Sequence, residues 1–137
     1  MNARSRRLLT ASLVAIATLG GCGDPGTGPA QPSVTGRWIG RAVVNADFAP
    51  NFRLNLQQSD AGSIAGSGHL ETDDGDYSVD VTIGAGFSDF PSVHFAILNP
   101  SRGDVLFTGT MDRAGMRIEG HLSGTGMEGV QLFLHRQ

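Results

Sequence analysis

The stretch Asn51-Phe52-Arg53-Leu54-Asn55-Leu56-Gln57-Gln58 sets the period of the chain. Phe52, Leu54 and Leu56 fall two apart, with Arg53, Asn55 and Gln57 between them. In an extended chain successive side chains point to opposite faces, so the octet reads as a strand with one apolar and one polar face. A helix would scatter the same three apolar residues around its circumference.

The same alternation extends in both directions. It occurs in "RWIGRAVV" (37–44), "SIAGSGHL" (63–70), "DYSVDVTI" (76–83), "SVHFAIL" (92–98), "DVLFTGTM" (104–111), "GMRIEGHL" (115–122) and "GVQLFLHR" (129–136). That makes eight strands, with no convincing helix between them. The connections "SDAG", "TDDGD", "NPSRG", "DRAG" and "SGTGMEG" are short, polar and rich in the residues that turn a hairpin. Hairpins in series give an antiparallel meander. The expected fold class is therefore all-β, an eight-stranded antiparallel up-and-down barrel over residues 35–137, which closes on itself and so leaves no edge unpaired. An open sandwich of two four-stranded sheets is the alternative. The inward set is Phe52, Leu54, Leu56, Tyr77, Val79, Val81, Val93, Phe95, Ile97, Val105, Phe107, Ile118, Leu132 and Leu134. Glycine follows an apolar residue two places on in Trp38/Gly40, Ile64/Gly66, Phe107/Gly109 and Ile118/Gly120. On an inward face this relieves crowding beside a large neighbour and lets a strand coil, as a small barrel requires.

The chain begins differently. Arg4, Arg6 and Arg7 precede an apolar run from Leu8 to Leu19, too short to span a bilayer. Leu19-Gly20-Gly21-Cys22 follows and holds the only cysteine, ahead of "GDPGTGPAQPSV" (23–34). This order resembles the lipobox signal peptide of bacterial lipoproteins. The resemblance implies cleavage before Cys22, diacylglycerol on its thiol and acylation, such as by palmitate, of the new N-terminus. It divides the chain into a signal peptide (1–21), a lipidated cysteine with a Gly/Pro-rich tether (22–34) and the barrel domain (35–137). It places the protein in the cell envelope, exported and membrane-anchored, facing the periplasm or the exterior. The general secretory route is the default, although "SRRLL" also suits twin-arginine export. With three arginines removed, the formal charge of −3 becomes about −6, which disfavours nucleic acid as a partner and leaves membrane attachment to lipid. No second cysteine remains for a disulfide, so stability must come from a packed core.

Gly36-x-Trp38 at the start of the first strand, with Arg136 at the end of the last, resembles the signature of the lipocalin-like or calycin barrels. The resemblance implies that Arg136 packs over Trp38 at a closed end. In a meander barrel the last strand pairs with the first, and Arg136 shares the parity of Leu132 and Leu134, so its side chain is expected to turn toward the same interior. Any opening is then expected at the far end, away from the tether. Lipocalins are usually longer, with helices and a deep cavity, so their ligand binding does not transfer with the fold.

Chemistry is sparse. His69, His94, His121 and His135 all fall out of phase with the apolar face and are expected outside, giving no metal site. Glu71, Asp73, Asp74 and Asp76 crowd one turn without the regular spacing of a calcium loop. Arg102-Gly103-Asp104 matches an adhesion tripeptide, and a turn accounts for it. No nucleophile motif or phosphate loop is present, so no enzyme and no cofactor are expected. Phe87, Phe90 and Pro91 are read in a loop, "GAGFSDFP" (84–91), that either makes a contact or covers a barrel end. The expected function is a lipid-anchored, non-catalytic binding or scaffolding barrel. Trp38, Phe52, Tyr77, Phe95 and Phe107 would line any pocket for a small apolar ligand. The alternative is a solid-core module that meets an envelope protein through its loops.

Overall fold

The computed structural model describes residues 30–137. Among these residues there is no helix. Eight strands form one closed barrel in chain order: β1 (Gly36–Ala42), β2 (Asn51–Gln58), β3 (Ser63–Glu71), β4 (Ser78–Asp89), β5 (Ser92–Leu98), β6 (Val105–Met111), β7 (Arg117–Ser123) and β8 (Val130–Arg136). Every neighbouring pair is antiparallel, and β8 returns to β1 with Trp38 opposite Arg136 and Gly40 opposite Leu134. The barrel, not the open sandwich, is the fold.

The alternation places one apolar face inward on every strand. Phe52, Leu54, Leu56, Val81, Val93, Phe95, Ile97, Val105, Phe107, Ile118, Leu132 and Leu134 are all buried, as are Trp38, Ile64, Leu70, Ile83, Met111 and Leu122. Tyr77 and Val79 are only half-buried, because Tyr77 precedes β4 and both sit at the far rim. At the centre the rings of Phe95 and Phe107 stack with centroids 4.9 Å apart. Gly109 and Gly120 are cross-strand partners beneath the edge of Phe107. A Cβ on either would come within 2.7 and 2.8 Å of the Phe107 Cζ, and closer still to the neighbouring backbone. The glycines are there because the ring occupies the space a side chain would need.

Two expectations change. The loop read at 84–91 is mostly strand: β4 runs to Asp89, and β5 starts at Ser92 after a turn at Phe90-Pro91, whose peptide bond is cis. The register of β4 against β5 slips between Gly84 and Phe87, where Ala85 has φ 48°. One extra residue exchanges the two faces of a strand. Val81 and Ile83 point in before the bulge; Ser88 is buried after it, and Phe87 is left outside, 42% exposed. Phe90 packs against the core at the tether end. Met116 shares the parity of Ile118 in "GMRIEGHL" (115–122), so the alternation alone would turn it inward, but it is exposed. The Asp112 carboxylate accepts the N–H groups of Met116 (2.8 Å) and Arg117 (3.1 Å), which prolongs the turn and delays β7 to Arg117.

Those two hydrogen bonds, that from Arg117 the larger effect, hold the Asp112 carboxyl below its usual range. A carboxyl whose folded pKa is depressed adds stability above the unfolded value and loses it as pH falls through the folded one. Asp112→Ala is therefore expected to lower the thermal midpoint at pH 7, with the gap to wild type closing as pH falls below the usual carboxylate range. Thermal unfolding across that pH range checks this, and a gap independent of pH contradicts it.

Candidate functional site

The tether end is built around Trp38, which is fully buried and donates its indole N–H to the Val34 carbonyl at 2.7 Å. The Arg136 guanidinium lies 4.6 Å from the indole ring centroid. Its Nε donates to the Gly115 carbonyl (2.7 Å), Nη1 to the Thr35 carbonyl (2.6 Å) and Nη2 to the Ser33 carbonyl. Gly36 has φ 143°, and a Cβ there would stand 2.9 Å from Arg136 Nη1, so the glycine of the Gly-x-Trp motif makes room for the arginine. The chain entering the barrel is gripped from a second side. Gln58 Oε1 accepts from Val34 N at 2.9 Å, and the Gln58 N–H donates to Thr35 Oγ1 at 2.9 Å. Val34, read as the end of the tether, is fully buried.

The far end carries a second arginine over aromatic rings. Phe48, in the β1–β2 connection, meets Tyr77 edge to face with centroids 5.3 Å apart. Arg102 lies over both, 4.0 Å from the Phe48 centroid and 4.8 Å from that of Tyr77. Asn99, almost wholly buried, donates to the Tyr77 hydroxyl at 2.7 Å and accepts from the N–H groups of Ser101 and Arg102. Met127 is buried alongside the core. Of the five residues assigned to the interior, Trp38, Phe52, Phe95 and Phe107 are buried within it, and Tyr77 stands in this lid. Arg102 spends its planar face on Phe48 and Tyr77, so the Arg102-Gly103-Asp104 tripeptide is not a freely presented one.

The outer wall has grooves. One of about 610 Å³ crosses β2, β1 and β8 between Arg41, Arg53, Ile39, Phe133 and His135. His94, His121 and His135 are exposed and His69 is half-buried on this outer surface. Among the described residues no three potential metal ligands converge. In the acidic turn, hydrogen bonding from Asn51 and the charge of Arg41, 2.7 Å away, hold the Asp73 carboxyl low. Asp74 is held low by the Thr72 hydroxyl and the Asp76 N–H. These carboxylates are engaged with protein donors, not gathered around a common point.

One cluster on this wall has directional chemistry. In the β3–β4 pair His69 stands opposite Asp80, and Glu71 opposite Ser78. His69 Nδ1 is 2.7 Å from Asp80 Oδ1, and Nε2 is 3.1 Å from Ser78 Oγ. Glu71 is 3.7 Å from Nε2 through one oxygen, while its other oxygen is held by Arg53 at 2.6 Å. Reading the strands one at a time placed His69 outside but could not join it to Ser78 and Asp80. The signal was available in their shared outward parity on two strands joined by one hairpin.

Cys22, the expected signal peptide (1–21) and residues 22–29 of the expected tether lie outside the described residues. No protein-family model, curated protein or solved structure matches this chain.

Proposed function

We propose that the protein is a lipid-anchored component of the bacterial cell envelope whose barrel binds or scaffolds a partner through its outer surface. This keeps the solid core of the alternative reading and moves the contact from its loops to the barrel wall. The observation that carries it is the stacked Phe95–Phe107 pair seated on Gly109 and Gly120, which fills the middle of the barrel where a lipocalin would keep its ligand. The arginine caps at both ends support it, since an apolar molecule would have to displace Arg102 and Phe48 to enter. The likeness to calycin barrels then extends to the wall and the Trp38–Arg136 end, but not to a cavity. Native mass spectrometry of the chain extracted from its own membranes tests this reading. An envelope protein retained without a small molecule is expected; a stoichiometric apolar small molecule would sink it.

The anchoring half rests on the lipobox resemblance at Leu19 to Cys22. Cells fed an alkyne-bearing palmitate are expected to label the wild type, with no label and loss from the membrane fraction in Cys22→Ala. Equal labelling of Cys22→Ala overturns the anchor.

A further inference from the structure

We propose that Ser78, His69 and Asp80 form an acyl-accepting relay on the outer wall, able to hydrolyse small activated esters. The relay depends neither on the anchor nor on what the barrel binds. The Asp80 carboxylate can only accept a hydrogen bond when ionised, so the 2.7 Å contact assigns the His69 proton to Nδ1. That leaves the Nε2 lone pair directed at Ser78 Oγ, 3.1 Å away. The order is hydroxyl to Nε2 and carboxylate to Nδ1, which lets an imidazole take a serine proton while a carboxylate fixes its tautomer and stabilises the imidazolium. Glu71, the other acid facing His69, would compete for Nε2; Arg53 draws it aside by pairing with its second oxygen. The frame is rigid, since His69 and Asp80 are direct partners in the ladder and Ser78 is one pleat away on the same face.

Ser78 Oγ attacks the ester carbonyl carbon and its proton passes to His69 Nε2. The ester C–O bond breaks, and the departing alcohol oxygen takes that proton from Nε2. Water, deprotonated in turn by Nε2, then attacks the acyl carbon; the acyl C–Oγ bond breaks, Ser78 Oγ takes the proton back from Nε2, and a carboxylic acid is released. Ester and water are consumed, acid and alcohol are formed, and no oxidant or reductant enters.

Magnitude sets the substrate class. An oxyanion hole, which elsewhere contributes about 10²–10³-fold per donor, is no part of this relay. Asp80 is 93% exposed at its side chain, so the relay works in water. The general-base share, about 10²–10⁴-fold, is what remains. It suffices for esters with a good leaving group and not for amides. Asp80 is a positioning residue here; Ser78 and His69 touch the reacting atoms.

The test is to incubate the full chain in detergent with p-nitrophenyl acetate. Acetylation mapped by peptide mass spectrometry to Ser78 is expected, needing no variant. Nitrophenol release is expected to fall about tenfold or more in Ser78→Ala and His69→Gln. It should be unchanged in His94→Gln, which removes an exposed histidine elsewhere. Asp80→Asn should lower kcat with KM unchanged, a split that a structural role would not produce. Acetyl found only at other residues, release no faster than in buffer, or Ser78→Ala as fast as wild type each overturns the proposal.

Discussion

Truncating Phe107 to alanine is expected to remove about 4–5 kcal/mol of folding stability, the upper part of the range for buried aromatic residues. The reason is local. The cost of such a deletion depends on how far neighbours can move into the hole. Phe107 is bordered by Gly109 and Gly120, which are paired in the β6–β7 ladder and have no side chain to swing in. Its other face is covered by Phe95, itself held in β5. The cavity therefore persists. A small domain has about 5–15 kcal/mol in all, so the variant should be close to unfolding at ambient temperature. Urea denaturation of both proteins measures the difference, with the slope unchanged if both states keep their compactness. A loss under about 2 kcal/mol would mean that the centre of the barrel can collapse, and hence is looser than its geometry.

Arg136→Ala is expected to cost about 2–4 kcal/mol, although the residue is next to last in the chain. Three charge-assisted hydrogen bonds to the carbonyls of Gly115, Thr35 and Ser33 are lost together. Hydrogen bonds to a charged group contribute about 1.5–3 kcal/mol where buried, less where water can replace them, and the stack on Trp38 adds about 0.5–2 kcal/mol. The end is not frayed, because Arg136 N–H donates to the Met116 carbonyl and Gln137 N–H to the Arg37 carbonyl. Arg136→Lys should recover only a minor part, since an ammonium keeps the charge but cannot fork to three acceptors while lying flat on an indole. Trp38 is the only tryptophan. Its fluorescence reports the site directly, and a shift to longer wavelength in Arg136→Ala at low denaturant is expected. A native-like spectrum and unchanged midpoint would show that the cap is ornamental.

Strand number, strand phase and barrel closure were readable because each rests on local alternation and short turns. What escaped the sequence depends on contacts that alternation does not encode. Phe48 stands in a connection with no period, and only its meeting with Tyr77 and Arg102 makes it a lid. Arg102 and Asn99 look like turn residues because the turn does need them; their second use is set elsewhere, by the Tyr77 hydroxyl for Asn99 and by the rings of Phe48 and Tyr77 for Arg102. Val34 follows a run of glycine and proline and resembles linker until Trp38 and Gln58 bind its backbone. The Ala85 bulge inverts the faces of β4 within a glycine-rich stretch too weakly patterned to betray it. The Ser78–His69–Asp80 contacts require the register of one hairpin, which the residue types allow but do not dictate.

The grip of Arg136 and Gln58 on Ser33 to Thr35 has a mechanical side. A pull that acts along β1 loads its ladders to β2 and β8, which run parallel to that direction. Such a load shears whole rows of hydrogen bonds at once, where a pull across the strands would open them one after another. The first elements to bear it are the indole of Trp38 and the guanidinium of Arg136, before any strand moves. Resistance to extraction is then a matter of unfolding rate more than of equilibrium stability, and the penultimate residue of the chain acts as the clasp on its first strand.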